Sequence, residues 1–156
     1  MLRYQIPGRE SIEICHLVLD YNGTIAVDGQ IIEGVEEFII ELAKSVKIYI
    51  VTADTYGTVA AQCGHLPVTI MTFPSENAGY EKLKIVEALG PEQTLCIGNG
   101  YNDVEMFKTA ILSIAVMEKE GVSSQALMES DIVTYSIADA LTLLLKQNRV
   151  RATLRN

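Results

Sequence analysis

The sequence predicts an α/β fold, a Rossmann-like parallel sheet with helices on both faces, occupying residues 1–156 as one domain. Three observations predict it. Short β-branched, apolar runs alternate with helix-length amphipathic stretches, the order that builds strand–helix–strand units. The runs are apolar at nearly every residue instead of every second one, as in strands covered on both faces. No linker, repeat or low-complexity segment interrupts the alternation, and 156 residues suffice to bury roughly two-thirds of the unfolded surface.

The first strand is ICHLVLD, residues 14–20, and it ends on a carboxylate. In TIAVDGQII, Asp28-Gly29 stands between two apolar runs, so a small β-hairpin is expected just after Asp20. GVEEFIIELAKS places Val35, Phe38, Ile39 and Leu42 on one helical face. KIYIVT (47–52) is the next strand, followed by a short helix in TYGTVAAQC and the strand VTIMT (68–72). AGYEKLKIVEALG is a helix ended by Gly90-Pro91. TLCIGN (94–99) runs into a Gly-rich turn and the helix NDVEMFKTA. LSIAV (112–116), VSSQALMES, DIVTY (131–135) and SIADALTLLLKQ complete the series. The ending KQNRVRATLRN brings Lys146, Arg149, Arg151 and Arg155 close together and reads as a solvated, frayed tail.

A net charge of -8 argues against a general nucleic-acid or anionic-membrane surface. No apolar run approaches the ~20 residues of a membrane span, and MLRYQIPGRESIE lacks the apolar core of a secretory signal. Cys15, Cys63 and Cys96 lie inside apolar segments and read as small core residues in a reducing compartment, so a cytoplasmic location is expected. His16 is expected in the core, and His65 has no visible partner as a base.

Four features fall at strand ends or in the helices that follow, where ligands bind in open α/β sheets. They are Asp20 in DYNGT, Thr52 in VTAD with Asp54 just beyond, the lysines of EKLKIVE, and Asn99, Asn102 and Asp103 in IGNGYND. Each suits a phosphoryl ligand. A carboxylate attacks phosphorus; a hydroxyl and an ammonium donate to the equatorial oxygens; carboxylates and a carbonyl hold Mg²⁺. Singly, each has a bland reading: an Asn-Gly turn, a β-branched strand end, a solvated Lys, a helix cap. All four in order, each in its strand–turn–helix context, are hard to obtain by coincidence.

The series DYNGT, VTADTYGTVA, EKLKIVEAL and IGNGYNDVEMFKTAILSIAV resembles the haloacid dehalogenase superfamily, and more narrowly the phosphorylation domain of P-type ATPases, over residues 14–116. The resemblance implies that Asp20 accepts the phosphoryl group and that Thr52 and Lys82 hold its oxygens. Lys82 is preferred to Lys84 because it matches the first Lys of the pump pattern. It further implies a Mg²⁺ site at Asp20, the carbonyl of Asn22, Asn99 and Asp103. The chain looks like a soluble relative, with nothing like the pumps' transmembrane helices or nucleotide-binding domain.

Two positions depart from the family pattern. Superfamily phosphatases carry an Asp two residues after the nucleophile as general acid and base; here stands Asn22, which cannot exchange a proton near neutral pH. Asn99 replaces a metal-binding Asp and removes one negative charge. Both changes slow catalysis. No room exists for a cap domain between Thr24 and Lys47 or between Thr52 and Lys82. Capless relatives with a similar hairpin, the phosphatases of 3-deoxy-octulosonate 8-phosphate, cover their sites with neighbours in a tetramer, so a homo-oligomer is expected. The leading expectation is a Mg²⁺-dependent phosphohydrolase acting on a phosphorylated small molecule. The competing one is a catalytically impaired relative that binds metal or phosphate, or acts by protein interaction. A phospho-acceptor regulatory domain is disfavoured, since the first strand lacks the acidic cluster such domains carry.

Overall fold

The computed structural model describes residues 1–54 and 56–156. The chain opens with β1 (Leu2–Tyr4) and β2 (Ile12–Ile14), followed by β3 (His16–Asp20), β4 (Ala26–Val27), β5 (Gln30–Ile31) and α1 (Val35–Leu42). The middle of the chain forms β6 (Lys47–Thr52), α2 (Val59–Cys63), β7 (Thr69–Thr72) and α3 (Ala78–Leu89). Then come β8 (Thr94–Gly98), a 3₁₀ turn (Tyr101–Asp103), α4 (Val104–Thr109), β9 (Leu112–Val116), α5 (Ser124–Glu129) and β10 (Ile132–Thr134). The C-terminal pair is α6 (Ile137–Leu145) and α7 (Gln147–Leu154).

Six strands form one parallel sheet in the order β10-β9-β8-β3-β6-β7. The chain therefore builds outward in one direction from β3 to β6 and β7, and in the other through β8, β9 and β10. The switch falls between β3 and β8, and the crevice outside the carboxyl ends of those strands is where ligands bind in such sheets.

Alternation along each strand feeds two cores. Leu17, Leu19, Ile48, Ile50, Leu95, Ile97, Leu112 and Ile114 pack on one face with Ile39 of α1 and Leu141 of α6. Val18, Val51, Cys96 and Ala115 face the other way, with Val86 of α3 and Phe107 of α4. Small residues on that second face let α3 and α4 approach closely, and α3 carries a site lysine. Helices on both faces of a parallel sheet are thus the observed architecture. Between β3 and β6 lie only the hairpin β4–β5 and α1, and between β6 and α3 only α2 and β7, so no cap domain exists among the described residues. The hairpin turns on Asp28 (φ +50°) and Gly29 (φ +77°), the paired positive φ values of a type I′ turn.

The ends of the chain differ from the sequence expectation. ICHLVLD is not one strand: Ile14 closes β2, which pairs antiparallel with β1, and Cys15 links it to β3. The tail is not frayed. Val150 on α7 is fully buried, and the Asn156 amide donates to the Pro7 carbonyl at 3.1 Å. Tyr4 on β1 donates its hydroxyl to the Leu144 carbonyl at 3.0 Å. Apolar residues four apart, Val150 and Leu154, give α7 a narrow stripe that the N-terminal hairpin covers. His16 is half-buried against Tyr49, not in the core. Thr55, the first residue of the helix expected in TYGTVAAQC, lies outside the described residues, and the described helix starts at Val59.

Candidate active site

Asp20 ends β3 at the switch point and is only 6% exposed. The following turn is tight. The Tyr21 carbonyl accepts from the amides of Thr24, Ile25 and Ala26, and Gly23 takes φ +82°. A side chain at Gly23 would collide with Asn99, whose Nδ2 lies 2.3 Å from where a Cβ would sit. Glycine here lets the β3 and β8 turns close on each other. The same turn returns the Thr24 hydroxyl to Asp20, 2.9 Å from Oδ2 and 3.2 Å from the Asn99 Oδ1.

Lys82 arrives from the first half of α3 and is 1% exposed. Its ammonium donates to Asp20 Oδ1 and to Asp103 Oδ1, each at 2.6 Å, and to Asn102 Oδ1 at 3.1 Å. Lys84, two residues on and turned to another side of the helix, is exposed, pairs with Glu81 at 3.0 Å and lies over the Tyr80 ring. Asp103 is fully buried. Its Oδ2 accepts from the amides of Asn99 (2.9 Å) and Gly100 (2.8 Å), closing the turn after β8, while its Oδ1 faces Lys82. Gly98 is required beneath it, because a Cβ there would meet Asp103 Oδ2 at 2.4 Å.

Two carboxylates and one ammonium leave the buried cluster with a net negative charge when all are ionised. Burial, and then the Asp103 carboxylate, push Asp20 up to about 6, against the opposing pull of Lys82 and the Thr24 hydroxyl. For Lys82, burial works against the charged form, but the two contacting carboxylates outweigh it and raise its pKa, so the ammonium persists. Such a cluster is costly to bury and is typical of sites that bind charge.

The other expected residues sit close by. Asp20 pairs in register with Val51, so Thr52 is one residue further along β6 at the same edge; it is buried, and its hydroxyl accepts from the Asp54 amide at 2.8 Å. Asp54 caps α2, its Oδ1 accepting from the amides of Thr58 and Val59. The Asn22 Oδ1 is buried with no hydrogen-bond partner. Asn99 is committed on both sides, its Oδ1 to Thr24 and its Nδ2 to the Gly121 carbonyl at 2.9 Å. Asp20, Lys82, Asn99, Asn102 and Asp103 thus form one hydrogen-bonded group. Thr52 and Asn22 flank it without bonding to it.

Sequence reasoning missed three contributors. Thr24 belongs to the quoted DYNGT stretch, and its hydroxyl spacing was a usable signal. The loop after β9 gave none. Gly121 holds Asn99, and Glu120 Oε2 accepts from the Asp28 amide at 3.1 Å, tying the hairpin tip to the far side of the site. The hairpin is further held by Tyr21, whose hydroxyl donates to the Gly29 carbonyl at 2.9 Å.

Among the described residues no group of three or more His, Cys, Asp or Glu side chains could hold a metal. The oxygen donors are two carboxylates with amide and carbonyl oxygens around them. That set still suits Mg²⁺, which is held by one or two carboxylates and keeps several waters. The excess negative charge points the same way, as does the buried, unpartnered side-chain oxygen of Asn22, an atom distinct from the backbone carbonyl expected on the ion.

Known proteins resemble this chain in sequence over part of its length, and others resemble it in fold. Two uncharacterised proteins of Methanocaldococcus jannaschii are similar in sequence. One is 47% identical over 79 residues, 48% of this chain and 85% of that protein. The other is 54% identical over 39 residues, 25% of this chain and 89% of that protein. In fold, the chain resembles the cobalt-bound deoxy-D-mannose-octulosonate 8-phosphate phosphatase of Haemophilus influenzae (TM-score 0.72, 12% identity, 92% and 94% of the two chains). It also resembles the 3-deoxy-D-manno-octulosonate 8-phosphate phosphatase of Moraxella catarrhalis, solved with magnesium, phosphate and KDO (TM-score 0.66, 19% identity, 89% and 90%). A family profile described as haloacid dehalogenase-like hydrolase matches residues 2–110, from β1 to the end of α4. By that match, the chain belongs to the haloacid dehalogenase-like hydrolases.

Proposed function

We propose that this chain is a Mg²⁺-dependent phosphohydrolase in which Asp20 is the phosphoryl acceptor. The observation that carries the reading is the buried Asp20–Lys82–Asp103 cluster at the switch point of the sheet. An apolar trio at such a place is often as stabilising or more so, which supports a use for these charges beyond packing. A carboxylate oxygen of Asp20 forms a bond to phosphorus as the ester P–O bond breaks. The departing alkoxide takes its proton from water, because Asn22 has none to give. Lys82 and the Thr52 hydroxyl hold the phosphoryl oxygens, and Asp103 positions Lys82. Water then attacks phosphorus, releases phosphate and restores the Asp20 carboxylate.

Asp20, the Asn22 carbonyl, Asn99 and Asp103 would hold Mg²⁺, which supplies positive charge to the phosphoryl oxygens. The magnesium in the Moraxella phosphatase supports this choice of ion. Without a positioned acid–base group, turnover falls by about 10²–10⁴. The substrate is a phosphorylated small molecule. Free Cys63 and Cys96, both buried, fit a cytoplasmic protein, and no helix among the described residues is long and apolar enough to cross a membrane. The open, capless site calls for a homo-oligomer that covers it; a solution mass of 17.1 kDa, that of one chain, would remove that part of the reading.

The test is phosphate release from an aryl phosphate with and without Mg²⁺, in wild type and Asp20→Ala. Release that needs both Mg²⁺ and Asp20 is expected. A second reading, an impaired relative that acts by binding, is favoured by one observation: both polar atoms of Asn99 already have protein partners, Nδ2 the Gly121 carbonyl and Oδ1 the Thr24 hydroxyl that it shares with Asp20. Wild type without Asp20-dependent release, restored by Asn22→Asp with Asn99→Asp, would select it.

A further inference from the structure

A cavity of about 430 Å³ lies beside the cluster. Tyr80 and Leu83 of α3, Tyr101 and Asn102 of the 3₁₀ turn, Val104 of α4 and Gln125 of α5 line it. All of these elements begin at the carboxyl edge of the sheet, where Asp20 stands. Asn102 belongs to both places: it lines the cavity, and its Oδ1 accepts from Lys82 at 3.1 Å, while Lys82 is 2.6 Å from Asp20. Two hydrogen bonds therefore separate the cavity wall from the phosphoryl acceptor.

The lining has a definite chemistry. Leu83 and Val104 are apolar. Tyr101 and Tyr80 are 74% and 59% exposed, large aromatic surface left open on the wall of a concavity. Tyr80 is held in place by Lys84, whose ammonium lies 4.8 Å from the ring centroid and is itself anchored to Glu81. Asn102 and Gln125 offer amide donors and acceptors. Glu105 and Lys108 also line the cavity but pair with each other at 3.1 Å, leaving no net charge there for a second phosphate. The volume falls within the ordinary range for small-molecule sites.

From this geometry we infer that the cavity receives the leaving group of the substrate, and that this group carries a planar, hydrogen-bonding aromatic ring. The substrate class is then a phosphate monoester of nucleotide size, unlike the aromatic-free sugar-acid phosphate named for the neighbouring structures. The inference rests on the phosphohydrolase reading for its chemistry but not for its binding.

Two measurements test it. With Mg²⁺, kcat/KM is compared for adenosine 5′-monophosphate and ribose 5-phosphate in wild type, Tyr101→Ala and Tyr101→Phe. Stacking on one aromatic accounts for about 10-fold, so wild type should favour the nucleotide by that factor, through KM. Tyr101→Ala should lose most of the preference and Tyr101→Phe should keep it. Separately, calorimetry on Asp20→Asn should show the nucleotide binding more tightly than ribose 5-phosphate, again depending on Tyr101. Equal turnover of the two esters, or equal loss of both in Tyr101→Ala, overturns the ring subsite and leaves the phosphohydrolase standing. Tyr101-dependent nucleotide binding with no hydrolysis of either ester keeps the subsite and removes the phosphohydrolase. No difference in binding overturns the subsite whatever the activity.

Discussion

The two edges of the sheet are built by opposite means. At the carboxyl edge, Asp20, Lys82 and Asp103 bury charge in a space that packing alone would fill with carbon. At the amino edge, β1, β2 and α7 bury Tyr4, Ile14 and Val150 and leave charge outside; all five arginines of the chain, Arg3, Arg9, Arg149, Arg151 and Arg155, lie in these terminal segments. The first edge buries charge at a cost in stability, as the proposed chemistry requires, and the second supplies stability and touches no residue of the cluster. Substitutions at the two edges should therefore separate activity from stability.

Asp20→Asn gives the sharpest break. It removes the proposed acceptor and should lower Mg²⁺-dependent phosphate release by at least about 10⁴, the scale of losing a nucleophile. It also removes one of two like charges around Lys82, so the variant should unfold at the same or a higher urea midpoint. A fall in both activity and midpoint would mean the cluster is structural. Next in size is Asn22→Asp. A carboxylate at that position supplies the missing proton donor, and release should rise by about 10²–10⁴. An unchanged rate would show that leaving-group protonation does not limit turnover.

Lys82→Met breaks the comparison from the other side. Asp20 and Asp103 would then face each other without a counter-charge, and the loss should be about 3–5 kcal/mol in urea unfolding. Added Mg²⁺ should recover part of it if the ion binds among the same oxygens. A loss under about 1 kcal/mol would mean that water reaches the pair and that the cluster is not truly desolvated.

Why one edge was legible in the sequence and the other was not follows from the same contrast. The candidate site draws on residue types that strand ends and the helices after them bring to one edge, so the placement of Asp20, Thr52, Lys82, Asn99 and Asp103 could be read one by one, and the hairpin by its Asp28-Gly29 turn. The terminal unit depends on fit between segments far apart in the chain. Tyr4 bonds to Leu144, and Asn156 to Pro7; no local pattern announces such pairs. β1 and β2 hold three residues each, too few for a period-2 signal to stand out. The Gly121 loop was missed for a related reason, since its bond to Asn99 arises only when distant turns meet, whereas Thr24 lies four residues from Asp20 and was legible locally.

The pH dependence of stability probes the carboxyl edge without mutation. In metal-free protein the folded Asp20 is raised to about 6, above the ~3.9 of an unfolded Asp. The folded state therefore binds the extra proton between those values. This contribution to stability is complete below about pH 4 and is lost as pH rises through about 6, an effect on the order of 3 kcal/mol. Urea midpoints of wild type, measured with EDTA, should fall across that window relative to those of Asp20→Asn. The reverse slope would mean that Lys82 dominates and holds the carboxylate ionised.

Tyr4→Phe should give the smallest effect, and it tests whether the amino edge is as separate as the structure suggests. The phenolic hydroxyl donates to the Leu144 carbonyl at 3.0 Å in a buried setting, and the ring stays in place without it. Losing that bond while leaving the carbonyl unsatisfied costs about 1–2 kcal/mol. The shift should appear in the urea midpoint alone, with phosphate release unchanged at temperatures where both proteins are folded. A change in release would mean that α6 and the terminal hairpin transmit strain through β3 to Asp20, and the two edges would then have to be treated as one mechanical unit.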